Sequence, residues 1–313
     1  MEMQPLFTSI LIMAVIIAIG ALIASRSPFT TDARQLMITI IVNVAMPCII
    51  LYGIFATPID QHLLTQIFII FIVSVLINCL GMLMGAIGAK TMGLPSQKVR
   101  EMAIVSGLGN TGFIGLPLCA ALFGPKGALL AAVFDAGLDF TIWTIGVMLL
   151  QEKQEFHIKN LRTLLNIPMI AIIVGLVIAT LGIQPPEVAK QLTGILANLA
   201  SPMAMLYIGM LIPTLLKNKR TVSLPMLGLP ITIKLFLFPL VTILILYLSS
   251  LDPDITQVVL IQAAMPTIAM ASILFARYAA DEEMGAMTTV FSTLLALATI
   301  PAVVMMGNLI LHL

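Results

Sequence analysis

Charge is what this sequence has least of. Among 313 residues there are 15 Lys or Arg and 14 Asp or Glu, so 9% of the chain is charged and 60% is hydrophobic. Charged residues make up about a quarter of an ordinary soluble domain, so a polytopic membrane protein is what this composition leaves. Cysteine is nearly as scarce. Cys48, Cys79 and Cys119 all fall inside apolar runs, which excludes a disulfide framework and a metal-ligand spacing and marks them as inert packing residues. Of the three histidines, His62 and His157 lie in connections and His312 is next to last. No apolar run therefore offers a histidine base or a metal set. No basic patch interleaved with aromatics exists, so nucleic acid is excluded as a partner. The N-terminus holds Glu2 and no Lys or Arg before the first apolar run. It lacks the basic region and small-residue cleavage site of a signal peptide, and this run is expected to stay as the first span.

What is there is a series of long apolar runs. About twenty apolar residues cross the hydrocarbon core, and runs of that kind lie at 5–25, 35–56, 63–89, 101–123, 127–150, 163–182, 191–214, 223–249, 255–276 and 284–311. An even number puts both termini on one side. Alternate connections then differ sharply in charge. One set holds Arg26, Arg34, Lys90, Lys98, Arg100, Lys153, Lys159, Arg162, Lys217, Lys219, Arg220 and Arg277; the other holds Lys126 and Lys190. Lys and Arg are retained on the cytoplasmic side. Both termini are therefore expected outside, with the 151–162 connection in the cytoplasm.

The chain also repeats itself. A shift of 155 positions lays Asn43, Ala45, Pro47, Leu51 and Tyr52 over Asn198, Ala200, Pro202, Leu206 and Tyr207, and Gly20, Ile23 and Ala24 over Gly175, Ile178 and Ala179. Five spans per copy is an odd number, so the second copy must enter the bilayer inverted. The expected fold is an all-α polytopic protein of ten transmembrane helices: a first five-helix repeat at 1–150, a linker at 151–162 and an inverted second repeat at 163–313.

The fourth span is the one that function requires. Gly107, Gly109, Gly112, Gly115 and Pro117 interrupt its first half beside Asn110 and Thr111. Backbone that unwinds inside a bilayer is tolerated only where it is buried in protein or lines a watery cavity. Glycine and proline also serve close helix packing, but packing has no use for the added polar atoms. The same shift lays this segment over Gln262 to Ser272, where Pro266 interrupts span nine. Two broken helices are thus expected.

At these residues the chain resembles the auxin efflux carrier family, which joins bacterial malate and malonate permeases to the plant PIN-formed carriers. The likeness rests on Asn43 with Pro47, on NTGFIGLPL from Asn110 to Leu118 closed by Phe123 and Gly124, and on IQAAMP from Ile261 to Pro266 followed by Phe275, Ala276 and Arg277. The resemblance implies a scaffold domain of spans 1, 2, 6 and 7 and a transport domain of spans 3 to 5 and 8 to 10. It also implies broken helices that cross near the midplane, with substrate at the crossing. The short central connection departs from the plant members and looks bacterial or archaeal.

Helix N-termini at such a crossing present free amides and partial positive charge, which suits an anion. Candidate substrate contacts are Asn110, Thr111, Gly112, Pro117, Gln262, Pro266 and Thr267. Asn43 and Asn198 are either site residues or interhelical glue, since each precedes a proline by four positions and its amide could satisfy the carbonyl that proline leaves free. Three charges lie within spans: Asp135 and Asp139 on one face of span five, and Lys234 in span eight. Asp139 and Lys234 have matching depths of roughly 16 Å from the cytoplasmic side, so an ion pair is one reading. Asp135 is then left to carry a proton or, with Asp139, Na⁺. An aspartyl protease would place its acids on two helices, so no enzyme is expected and no cofactor beyond a coupling H⁺ or Na⁺. The expected function is alternating-access transport of small organic anions, with a channel, a uniporter or a non-transporting sensor as alternatives. Expected partners are the substrate anion, the bilayer and, as an alternative to a monomer, a second copy of the chain.

Overall fold

The computed structural model describes residues 3–27, 29–151, 165–217 and 224–312. The 151–162 connection lies outside the described residues except for Gln151. The described chain is helical throughout. In order come α1 (Met3–Arg26), α2 (Thr31–Ile40), α3 (Met46–Ala56), α4 (Gln61–Thr91), α5 (Ser96–Gly107), α6 (Leu116–Thr141), α7 (Val147–Leu150), α8 (Ile167–Thr180), α9 (Glu187–Ala197), α10 (Ala200–Lys217), α11 (Leu224–Thr232), α12 (Phe238–Leu248), α13 (Pro253–Ala263), α14 (Ala271–Arg277) and α15 (Glu282–Leu311). Among the described residues seven helical stretches are long and apolar enough to cross a membrane: Thr8–Arg26, Thr31–Ala56, Gln61–Thr91, Thr111–Leu150, Glu187–Pro213, Met226–Leu248 and Glu282–Leu311. α8 is apolar but shorter. Most outward residues of α1, α4 and α8, such as Leu11, Phe68, Leu76 and Val177, are large, apolar and exposed, as lipid-facing surfaces require.

Helix starts are written in the sequence. Asp60 accepts from the Leu63 amide at 2.7 Å, Asn166 from Met169 at 2.8 Å and Asp281 from Met284 at 3.0 Å, each satisfying an amide that the first turn leaves free. Three of the prolines share a second device. Three one-turn π-helices, Ile41–Ala45, Thr111–Gly115 and Ile233–Leu237, each end two residues before a proline, at Pro47, Pro117 and Pro239. The residue just before each proline bonds five residues back: Met46 to Ile41, Leu116 to Thr111 and Phe238 to Ile233. Widening the turn carries the chain past the ring without breaking the span. Asn43 therefore does not cap the freed carbonyl with its side chain as expected. It is exposed, as is Asn198 at the α9–α10 junction.

Spans four and five, expected as separate runs, are one nearly continuous stretch bent at Gly124, whose φ of 65° and ψ of −155° suit glycine alone. Pro125 follows, so no helical bond to its missing amide is lost. In the second half the matching bend is Ala279, with φ 53°, 155 positions on. The breaks correspond as well: α5 ends at Gly107 and α13 at Ala263, and each resumes as helix only after an unwound stretch.

Candidate functional site

The two unwound stretches meet. The Asn110 amide donates to the Pro266 carbonyl at 2.7 Å and the Ile268 amide to the Leu108 carbonyl at 3.0 Å, so that Gly109 and Thr267 face each other in an isolated antiparallel bridge. Backbone groups that lipid could not satisfy thus satisfy one another. Ile114 and Gly115 amides turn back onto the Asn110 carbonyl at 3.3 and 3.2 Å, which starts the following helix. On the other strand the Thr267 amide donates to Ser292 Oγ at 3.1 Å, the Thr267 hydroxyl to the Val105 carbonyl at 2.9 Å, and Thr289 Oγ1 to the Ile268 carbonyl at 2.9 Å.

Beside the first break opens a cavity of about 250 Å³. Its polar lining is Asn110, Thr111, Asp135, Asp139 and Asn166, and Phe113, Trp143 and Met46 supply much of its apolar wall. The Thr111 hydroxyl donates to Asp135 Oδ1 at 2.5 Å, and Asn166 Nδ2 donates to Asp139 Oδ2 at 2.8 Å. Gly112 has no side chain for a reason: a Cβ there would come within 2.7 Å of Asp135 Oδ2. The Asn110 side-chain amide is buried, at 3% exposure, and its nitrogen has no hydrogen-bond partner within the protein. A buried donor left unmade costs roughly 1–3 kcal/mol. Asn110 lines the cavity, and a turn of its side chain would present this closed-off donor to an acceptor there.

Of the residues expected at the site, Asn110, Thr111, Gly112, Asp135 and Asp139 share this cavity. Pro266 and Thr267 form the bridge behind it. Gln262 packs against the bare backbone of Gly115 and donates to the Ala131 carbonyl at 3.3 Å, while its Oε1 has no partner. Pro117 and Asn198 line a different cavity of about 270 Å³, together with Tyr52, Ala197 and Ser201. Asn43 lines neither, although its neighbours Val42 and Met46 line the first. Val42 and Met46 stand 155 positions before Ala197 and Ser201 of the second cavity. Asn166 was missed by sequence reasoning because it sits at the edge of a span, where a polar residue is unremarkable. Its signal was the order Asn-Ile-Pro, a cap followed by a helix-starting proline.

The Lys234–Asp139 ion pair expected from matching depth is not formed. Lys234 is fully buried, its ammonium lies 4.2 Å from the centre of the Phe238 ring, and its nearest acceptor is the Gly107 carbonyl at 3.5 Å. It backs onto Gly109, where a Cβ would come within 3.1 Å of Nζ. Depth matched, but the surroundings differ: Asp135 and Asp139 line the cavity, and Lys234 does not. Phe113 connects this strand to the far helices. Its ring centre lies 6.0 Å from that of Tyr207 in α10, whose hydroxyl accepts from Arg34 Nε of α2 at 3.1 Å.

The model of the family described as membrane transport protein matches residues 5–304. The chain belongs to this family, that of the auxin efflux carriers. Among its relatives, an "Uncharacterized transporter" of Methanothermobacter thermautotrophicus is 22% identical over 296 residues, 94% of this chain and 95% of the relative. A protein of Rhizobium meliloti named "Putative malonate transporter" is 23% identical over 301 residues, 91% of this chain and 90% of that one. The family and the apolar helices together make this membrane transport protein a multi-pass one.

Proposed function

We propose that the protein is a secondary-active carrier that moves small carboxylates across the cell membrane by alternating access, binding them beside Asn110 and coupling their movement to protons or a cation at Asp135 and Asp139. The observation that carries this reading is the cavity at the first break: a buried amide donor without a partner, and two carboxylates that face no base among the described residues. An anion entering a pocket that holds two acids must bring compensating positive charge, or find the acids protonated. A proton on one carboxylate is the smallest companion that meets this requirement. Lys234, against Gly107 and Gly109 of the break, supplies a positive charge beside the crossing. The name of the Rhizobium relative favours a short dicarboxylate as cargo.

The recurrence of the two breaks, of the bends at Gly124 and Ala279 and of the paired cavity residues at one offset supports ten spans in two inverted five-helix repeats. Two separate cavities, one at Asn110 and one at Pro117 and Asn198, suit alternating access in which each serves a different side of the membrane. In this reading spans 1, 2, 6 and 7 form the scaffold, spans 3 to 5 and 8 to 10 the moving domain, and the termini face out.

Purified protein in liposomes loaded with unlabelled malonate should concentrate labelled malonate by counterflow, and Asn110→Ala should lose this while melting unchanged. Current proportional to gradient without counterflow would mean a channel. Stability indifferent to a panel of mono- and dicarboxylates would mean that the chain moves something else or nothing.

A further inference from the structure

A cavity about twice the size of the one at the first break lies away from the crossing. A trough of about 510 Å³ runs between α4, α5 and the α7 end of span five, walled by Cys79, Met82, Leu83, Ala86, Ala103 and Leu149, with Lys90, Ser96 and Arg100 at its mouth. From Lys90 to Cys79 along α4 is eleven residues, or roughly 16 Å at the helical rise, about half the thickness of the hydrocarbon core. The trough is thus one leaflet deep, basic at the interface and apolar below. Leu83, which lines it, is more than half exposed, so it opens sideways toward lipid.

The two cations at the mouth are unused. Among the described residues neither Lys90 nor Arg100 makes an ion pair, whereas Lys98, two positions from Arg100, is held by Glu101 at 2.7 Å and Asp281 at 2.6 Å. Glu101 and Asp281 are thus committed to Lys98, and no acid lines the trough, so among the described residues its mouth keeps a net positive charge. The first turn of α5 lies at the same mouth and has no side-chain cap, because Pro95 stands at its N-cap position. Its amides add donors to the same point.

We propose that this trough is a binding site for one anionic phospholipid, its phosphate between Lys90, Arg100 and Ser96 and an acyl chain laid along α4 toward Cys79. A zwitterionic lipid would fill the apolar part equally but gain less from the mouth, where two cations meet a headgroup of no net charge. A small carboxylate or phosphate would satisfy the mouth and leave the apolar trough unfilled. The fit requires both halves in one molecule. The site is separate from the cavity at the crossing and does not depend on what the carrier transports.

The test compares phosphatidylglycerol with phosphatidylcholine of the same acyl chains, added to the delipidated protein in neutral detergent. Phosphatidylglycerol should raise the melting temperature by several degrees more than phosphatidylcholine and stay bound in native mass spectrometry. In Lys90→Gln with Arg100→Gln the difference between the lipids should vanish. Both side chains reach the surface, so this variant should fold. Ala86→Phe, which fills the trough and keeps both charges, should lose the bound lipid as well. Equal shifts from the two lipids, retention of phosphatidylglycerol by the double variant, or an equal shift from glycerol phosphate without chains would each overturn the proposal.

Discussion

The two breaks cross at one point and are built of different material. At the second, the unwound stretch is tied down and only Gln262 Oε1, on the helix before it, has no partner: proline removes one donor, Thr267 is tied by its amide to Ser292 and by its hydroxyl to Val105, and the Ile268 carbonyl is capped by Thr289. At the first, the Asn110 side-chain nitrogen has no partner, and Thr111 and Asp135 bond each other at the wall of a cavity. One break is a buttress and the other keeps spare bonding capacity. A duplicated architecture permits this division, since one copy can be made rigid so that the other can hold a site open at small cost in stability.

The sharpest way to break that comparison is to remove the acid that Thr111 holds. Asp135→Asn mimics the protonated carboxyl, so accumulation driven by a pH gradient should fall by more than about tenfold while exchange of labelled for unlabelled substrate persists. Parallel uptake and exchange assays in liposomes decide it. Loss of both would make Asp135 part of the fold or the substrate contact, and uptake that follows Na⁺ and ignores pH would make it a cation ligand.

A crossed pair of substitutions comes next. Thr267→Val removes a buried hydroxyl bond to the Val105 carbonyl and should cost about 1–3 kcal/mol, seen as a lower melting temperature. Asn110→Ala removes an amide that bonds nothing in the protein and should leave melting nearly unchanged while transport is lost. If the stability losses fall the other way round, the buttress and the site have been assigned to the wrong breaks.

Much of this division was legible in the sequence, and its limits are physical. Glycines clustered with Asn110 and Thr111 announced the first break because unwound backbone in lipid needs a reason. The offset of 155 carried that reading to Pro266. What one dimension could not give was azimuth. Asp139 and Lys234 were matched in depth by counting residues, but depth says nothing about which side of a strand a side chain takes. Asn43 and Asn198 failed to join the crossing because a π-turn disposes of Pro47, and a helix junction comes before Pro202, without help from an amide. Asn166 was hidden by its place at a span edge.

The far ends of the two broken helices allow a milder comparison. At one, Lys98 bridges buried Glu101 of α5 and Asp281 at the start of α15; at the other, Lys126 meets Asp254 of α13 at 2.5 Å on an exposed surface. Lys126 stands 155 positions before Asp281, so the two clamps sit at matching places with the charges exchanged. Burial alone would lower the Lys98 pKa, but hydrogen bonds to Asp281 and Glu101 outweigh it and hold it above the usual lysine value. Burial alone would raise Asp281 and Asp254, and the lysines opposite them, with Met284 and Gln66, hold both below the usual carboxylate value. The carboxylates' contribution is present above about pH 3.9 and fades as pH falls through their lowered values; that of Lys98 is present below about pH 10.4 and fades above it. At neutral pH Lys98→Ala should therefore cost about 1–2 kcal/mol, since Glu101 is left without its cation. Lys126→Ala should cost about 0–1 kcal/mol, reduced further by salt. Melting curves at pH 7 in low and high salt separate them.

The smallest expected effect is a coupling that should be absent. Lys234 and Asp139 have separate surroundings at the first break: one lies against Gly107 and Phe238, and the other lines the cavity and is bonded to Asn166. Each single change, Lys234→Met or Asp139→Asn, acts on its own surroundings: the first removes the cation beside the crossing, and the second alters the cavity wall. If the two residues do not share a bond, the double variant should lose the sum of the two losses, with an interaction energy within about 0.5 kcal/mol in melting. An ion pair would instead make the double variant much more stable than that sum, because removing both partners strands neither. Recovery of that kind would place the lysine with the acids, remove the spare negative charge of the cavity, and with it the reason to expect that the carboxylate travels with a proton or cation.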